Sequence, residues 1–188
     1  MIDEPPDEPH VALYEGVVVD NADPELRGRV TVRIPGLVEP ESGWADPVGS
    51  AGGGITAQGF FFPPKVGANI VVWFKHGDVD HPRYAVGSWA RGEAPSFLAG
   101  LTPQQATMVK GIQTDRWEIV FDDRDGQALL RITDRAFPLD IVEIDGLKHG
   151  ITISGTVAVV IKSLGIVSVE ALQIVLNGRL VKPGTDPI

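Results

Sequence analysis

The chain has 188 residues, enough for one ordinary domain or for a small domain with an extension. Its 16 Lys+Arg against 25 Asp+Glu give a net charge of −9, which argues against a nucleic-acid binder working through a basic face. There is no cysteine, which excludes disulfides, thiol nucleophiles and cysteine-based zinc sites.

Residues 1–10 carry four acids and three prolines and read as a flexible acidic arm. They have neither the basic start nor the apolar stretch of a signal peptide, and no run in the chain is long and apolar enough for a transmembrane helix. Residues 11–91 read as one all-β domain. VALYEGVVVDN (11–21) is rich in β-branched residues and ends at the turn Asn21-Ala22-Asp23-Pro24. In RGRVTVRIP (27–35), Val30, Val32 and Ile34 alternate with Arg29, Thr31 and Arg33, the period of a half-buried strand with the second set outward. GANIVVWFKHG (67–77) suits a central strand, HPRYAVGSWA (81–90) follows a tight turn, and WADPVGS (44–50) supplies a short fifth strand. Five short strands joined by Gly/Pro turns and one long connection (36–66) suit a Greek-key barrel of the OB type. An SH3-like barrel would leave much the same pattern.

Residues 92–115 read as a linker, with one helical turn at TPQQATMV, where Thr102 followed by Pro103 makes a cap. WEIVF (117–121) and ALLRIT (128–133) flank Asp122–Gly126 as a β-hairpin. A repeat follows. Ile151, Val159, Val167 and Ile174 align, as do Ile153, Ile161, Val169 and Leu176 two residues on. The next column is polar (Ser154, Lys162, Glu170, Asn177) and the next small (Gly155, Ser163, Ala171, Gly178). This predicts a short strand per repeat, with two apolar side chains inward, a polar one outward and a small residue turning a corner. Each repeat is too short to bury its own face, so it must stack on neighbours. An antiparallel meander is the plainer alternative. Against it, the run between Ile151 and Asn177 has few charges and no tight-turn dipeptide before Asn177-Gly178. Wrapping around identical chains would remove the exposed apolar edges.

The order of motifs resembles the central spike of contractile injection machines: the phage baseplate assembly protein V group, the T4-type central spike and the VgrG proteins of type VI secretion. The stretches that carry the resemblance are DPELRGRVTVRIPGL (23–37), WADPVG (44–49), GFFFPPKVGANIVVWFKHGDVDHPRYAVGSW (59–89) and, more loosely, KGIQTDRWEIVFDDRDGQALLRITD (110–134) and LNGRLVKPGTDPI (176–188). The resemblance implies a homotrimer in which OB domains form a collar on a baseplate hub protein. Three C-terminal segments (116–188: the hairpin and the repeats) would wind into a β-helical needle. Ile151, Ile153, Val159, Ile161, Val167, Val169, Ile174 and Leu176 would form its core. Leu180, Val181 and Ile188 would dock a PAAR-like tip protein. Residues 146–188 hold four bases and two acids, against twelve and twenty-three in residues 1–145. The chain departs from VgrG in showing no large hub region before the OB domain. It also shows no lysozyme-like insert before the needle and no His-x-His pair near its end. The implied life history is assembly in the bacterial cytoplasm into a phage virion or tail-like particle, then transient contact with a target envelope.

Other chemistry is poorly supported. His76, Asp78, Asp80 and His81 suggest a metal site by residue type, but they also make an ordinary polar turn. Asp122–Gly126 fails the register of a calcium loop, because Phe121 and Ile132 fall where carboxylates are needed. Gly52-Gly53-Gly54 lacks the Lys-Ser/Thr of a phosphate loop, and no serine sits in a G-x-S-x-G elbow. Neither catalytic residues nor a cofactor or metal are expected. Two rivals remain. One is an OB binding module for single-stranded nucleic acid or glycan, using Phe60, Phe61, Phe62, Trp73 and Trp89 as a stacking platform. The other is an envelope hydrolase using a pair such as Glu39/Glu41.

Overall fold

The computed structural model describes residues 10–49, 58–87, 89–169, 171, 173–176 and 179–181. The acidic arm over 1–9, the Gly52–Gly54 stretch, Glu170 and Ile188 lie outside the described residues. The chain forms two units, Met1–Ala94 and Pro95–Ile188.

The first unit contains β1 (Tyr14–Asp20), β2 (Thr31–Arg33), β3 (Asp46–Pro47), β4 (Asn69–Phe74) and β5 (Pro82–Val86). They pair in the order β2-β1-β4-β5-β3. The Val30–Ala45 bridge, with N–H···O distances of 3.2 and 2.8 Å, joins the starts of the β2 and β3 segments and brings the ends of the sheet together. Among the described strands only the β3–β5 pair is parallel. A curled five-stranded sheet with this order and one parallel pair is OB-like, which settles the choice the periodicity left open. All five expected strands are present, each shorter than its apolar run.

The core follows the period-2 pattern. Val30 and Val32 are fully buried and Ile34 nearly so, packed with Val18, Ile70, Val72, Phe74 and Tyr84. One expected outward residue is corrected: Thr31 is buried. The connection after β2 folds back over it. Thr31 Oγ1 donates to Glu41 Oε2 (2.7 Å), and Ser42 N–H donates to Val32 O (2.8 Å).

The second unit opens with a single helical turn, α1 (Pro103–Ala106), whose Thr102–Gln105 capping box satisfies two orphan N–H groups. Then come β6 (Val109–Gln113), β7 (Trp117–Asp122), β8 (Leu129–Asp134), β9 (Phe137–Asp145) and β10 (Gly150–Ser154) in one antiparallel meander. β7 and β8 are the expected hairpin. The reading of 92–115 as a linker is corrected, since β6 lies within it and pairs with β7 along its whole length. β9 was not foreseen either. Gly111 has no room for a Cβ, which would meet Ile119 O at 2.5 Å and the Phe97 ring at 2.9 Å.

The repeat behaves differently from its reading. Its first strand is present as β10, but at the edge of the meander, paired with β9 (Ile151 with Ile144, Ile153 with Val142). Gly155 does turn a corner: a Cβ there would lie 2.6 Å from Ala158 O. Thr156 then ties back through its backbone N–H and its hydroxyl to Asp140 Oδ1. Among the described residues between Gly155 and Gln173 there is no strand. β11 (Ile174–Leu176) and β12 (Arg179–Val181) close the described chain as a small antiparallel pair. The described residues of the single chain thus contain no β-helix.

Candidate functional site

The loop between β1 and β2 is organised by one carboxylate. Asp23 is 6% exposed, and its Oδ1 accepts from Glu25 N–H (3.0 Å) and from the Arg29 guanidinium (2.6 and 3.1 Å). Its Oδ2 accepts the N–H groups of Arg27 (2.8 Å) and Arg29 (3.2 Å). The Arg29 bond, with these backbone donors, holds the Asp23 carboxyl well below the usual range against the opposing effect of burial. Arg29 in turn lies over the Trp44 ring, 5.6 Å from its centroid.

That loop places Gly28 at φ +74° with its missing side chain facing Phe61, whose ring would lie 3.2 Å from a Cβ. Tyr84 donates its buried hydroxyl to Gly28 O (2.7 Å), and burial pushes the phenol's pKa up. Asn21 Nδ2 donates to Pro64 O (2.9 Å). The stretches RGR and GFFFPP, far apart in sequence, therefore pack directly on each other. They line an apolar groove of about 560 Å³ with Pro47 and Val48. Phe60 and Phe62 stack at its mouth with centroids 6.4 Å apart. The cation at its rim, Arg27, is already paired with Asp46 (2.9 Å) and Glu25 (3.5 Å).

The aromatic residues do not form one platform. Trp73 lines a separate hollow with His10, Leu13 and His76, and Trp89 lines neither. The His76–His81 stretch is a polar turn. Asp78 accepts from Asp80 N–H (2.9 Å) and contacts the His81 ring (2.9 Å), and both lower its pKa. Among the described residues no group of three or more potential ligands converges on a metal position. In the β7–β8 turn, Asp122 is engaged by Arg124 (2.7 Å) and Asp123 by Lys110 (2.8 Å). Glu39 and Glu41 lie on an exposed loop, where Glu41 accepts from Thr31.

The other notable surface is apolar. Of the residues read as an inward core, Ile151 is 72% exposed, Ile161 71% and Val169 64% in the single chain, with Ile153, Val159 and Val167 also exposed. Ile174 is half-buried. Leu176, Leu180 and Val181 are placed in β11 and β12 by their backbone, while their side chains lie outside what is described. The structure thus brings Ile151 and Ile153 onto one strand and leaves Val159 to Val169 without a partner strand among the described residues.

A curled five-stranded barrel carrying these two packed motifs defines a class, and comparison with known families gives it a name. Residues 14–89, about two fifths of the chain, match the family model described as the type VI secretion system/phage-baseplate injector OB domain. The barrel is thus similar to the OB domain of injection apparatuses. No curated protein matches the chain.

Proposed function

We propose that the protein is the non-enzymatic, homotrimeric spike of a contractile phage tail or tail-like injection particle. Three barrels form a collar on a baseplate hub protein. The segments beyond them wind around one another into a needle that is driven through a target envelope. The observation that carries this reading is the combination in one chain of an injector OB domain with an extension whose apolar residues are bare. Val157 is 97% exposed and Ile166 88%. Burying a side chain of this size contributes about 1.5–3 kcal/mol, so leaving a whole run of them in water is costly unless other chains cover them. Winding suits the mechanical task, because removing one chain would break its ladders with both others.

The PAAR-like tip would dock at the C-terminal end through Leu180, Val181 and Ile188, where a spike needs a closed point rather than an open strand edge. The test is a particle lacking Gly184–Ile188. It should keep the spike and lose the tip protein on purification, and retention of the tip would refute this docking site. For the spike itself, labelled protein should appear by electron microscopy on the axis of the baseplate. Labelling of the sheath or of the free pool alone would contradict the reading.

A further inference from the structure

The sequence contains two Asp-Gly pairs, Asp125-Gly126 and Asp145-Gly146. Both fall at hairpin turns of the meander, the first between β7 and β8 and the second between β9 and β10. In such a pair the glycine's backbone nitrogen can attack the aspartate's side-chain carbonyl carbon, because no Cβ hinders the approach. The new N–C bond closes a succinimide ring, the C–OH bond breaks, and the amide proton leaves with the hydroxyl as water. Water then reopens the ring at either carbonyl. One opening restores aspartate, and the other gives isoaspartate, with the backbone running through the side-chain carbon. The attack needs an uncharged carboxyl and a backbone N–H that is not already committed to a hydrogen bond.

The fold treats the two pairs in opposite ways. Asp145 Oδ1 accepts the N–H groups of Leu147 (3.0 Å) and Lys148 (2.9 Å), and its Oδ2 meets the Lys148 ammonium (2.9 Å). These donors hold the carboxyl below its ordinary range, so it stays ionised and a poor electrophile. The nucleophile is tied as well, since Gly146 N–H donates to Ala128 O at 2.7 Å. At the other pair, Gln127 N–H donates to Arg124 O (2.9 Å) and Gly126 has φ +77°, which makes Arg124–Gln127 a type II turn. Asp125 and Gly126 are exposed. Among the described residues nothing donates to the Asp125 carboxylate, and Gly126 N–H has no acceptor. The cations of this turn are engaged elsewhere, Arg124 with Asp122 (2.7 Å) and Lys110 with Asp123 (2.8 Å).

We propose that Asp125-Gly126 is a site of spontaneous isoaspartate formation, and that the fold protects Asp145-Gly146 from the same reaction. Freeing one hydrogen bond of ordinary net strength already slows the attack about tenfold. Asp145-Gly146 must free several, and Asp125-Gly126 none. The product carries one more backbone carbon between Arg124 and Gln127, so the bond that closes the turn has to be re-spaced. Its carboxylate, exposed in the turn, is a substrate for an enzyme that methylates isoaspartyl carboxyls from S-adenosylmethionine. The inference is independent of the number of chains in the assembly.

The test stores the full-length protein at neutral pH for several weeks, native and in denaturant. Peptides are then mapped by labelled methyl transfer from S-adenosylmethionine with an isoaspartyl methyltransferase. Mapping keeps the two sites apart from each other and from Asn177-Gly178. In the native protein, label at position 125 should exceed that at position 145 by at least about tenfold. In denaturant the two should label alike. Asp125→Glu, whose larger ring closes slowly, should lose the label in its own peptide and leave position 145 unchanged. Equal labelling of the two sites in the native protein, or no label at position 125, would overturn the proposal. A native preference that persists undiminished in denaturant would overturn it too, because the local sequence and not the fold would then set the choice.

Discussion

The two units place their apolar residues in opposite ways. The barrel closes its strands on themselves, and Val30, Val32, Ile70 and Val72 lose all but about a hundredth of their exposure within one chain. The second unit is as regular in its pairing, yet only Val109 among its apolar side chains is classed as buried among the described residues. A β-sheet buries one face for each layer laid upon it, and on the meander's polar side the Phe97 ring packs over Gly111. Good strand pairing is therefore no sign of a completed core. The barrel completes its core within one chain, whereas the extension leaves its apolar face bare.

The largest effect should come from a charge in the proposed interchain core. Ile161→Asp would bring carboxylates from several chains together in apolar surroundings, at a cost of several kcal/mol per ion. Light scattering should show the assembly lost while the barrel still unfolds cooperatively; an unchanged assembly would mean that Ile161 does not face the axis. The reciprocal change belongs to the barrel. Ile70 is 1% exposed, and Ile70→Ala should cost about 2–5 kcal/mol in barrel stability without changing chain number below the barrel's melting temperature.

Acid should act on the barrel through Asp23. Its carboxyl is depressed in the folded state relative to an unfolded value of about 4. The stability it adds is complete above that unfolded value and is lost as the pH falls through the folded one. Asp23→Asn should lower the barrel's melting temperature at neutral pH and flatten its fall below about pH 4. An unchanged acid slope would show that Asp23 is not the group responsible. The smallest effect should be that of Arg131→Ala, which removes an exposed pair with Glu143 worth ~0–1 kcal/mol and should leave assembly untouched.

The sequence announced the barrel more fully than the extension, for physical reasons. Alternation at Val30–Val32–Ile34 marks a strand with one buried face whichever barrel contains it. What separates the OB type is the Val30–Ala45 bridge and the two-residue β3, too short for any period to register. Thr31 reads as outward because a period cannot foresee that residues 41–42 will fold back across it. β6 was hidden by Gly111, a turn residue by habit that is needed here to admit Phe97. β9 was hidden by Pro138 near its start, which argues against a central strand, and by acids at Glu143 and Asp145 that in fact mark its polar face. The two packed motifs of the groove were visible as words, but their contact through Gly28 and Phe61 was not, since nothing local connects positions so far apart. The repeat columns were legible because they are a property of the chain. What covers them was not legible, because among the described residues nothing in the same chain does.

The claim that the extension is completed by identical copies is tested most directly by the molar mass of the full-length protein in solution. Multi-angle light scattering at micromolar concentration should give three times the 20.1 kDa chain mass, unchanged on dilution. A stable species of one chain mass would contradict the account.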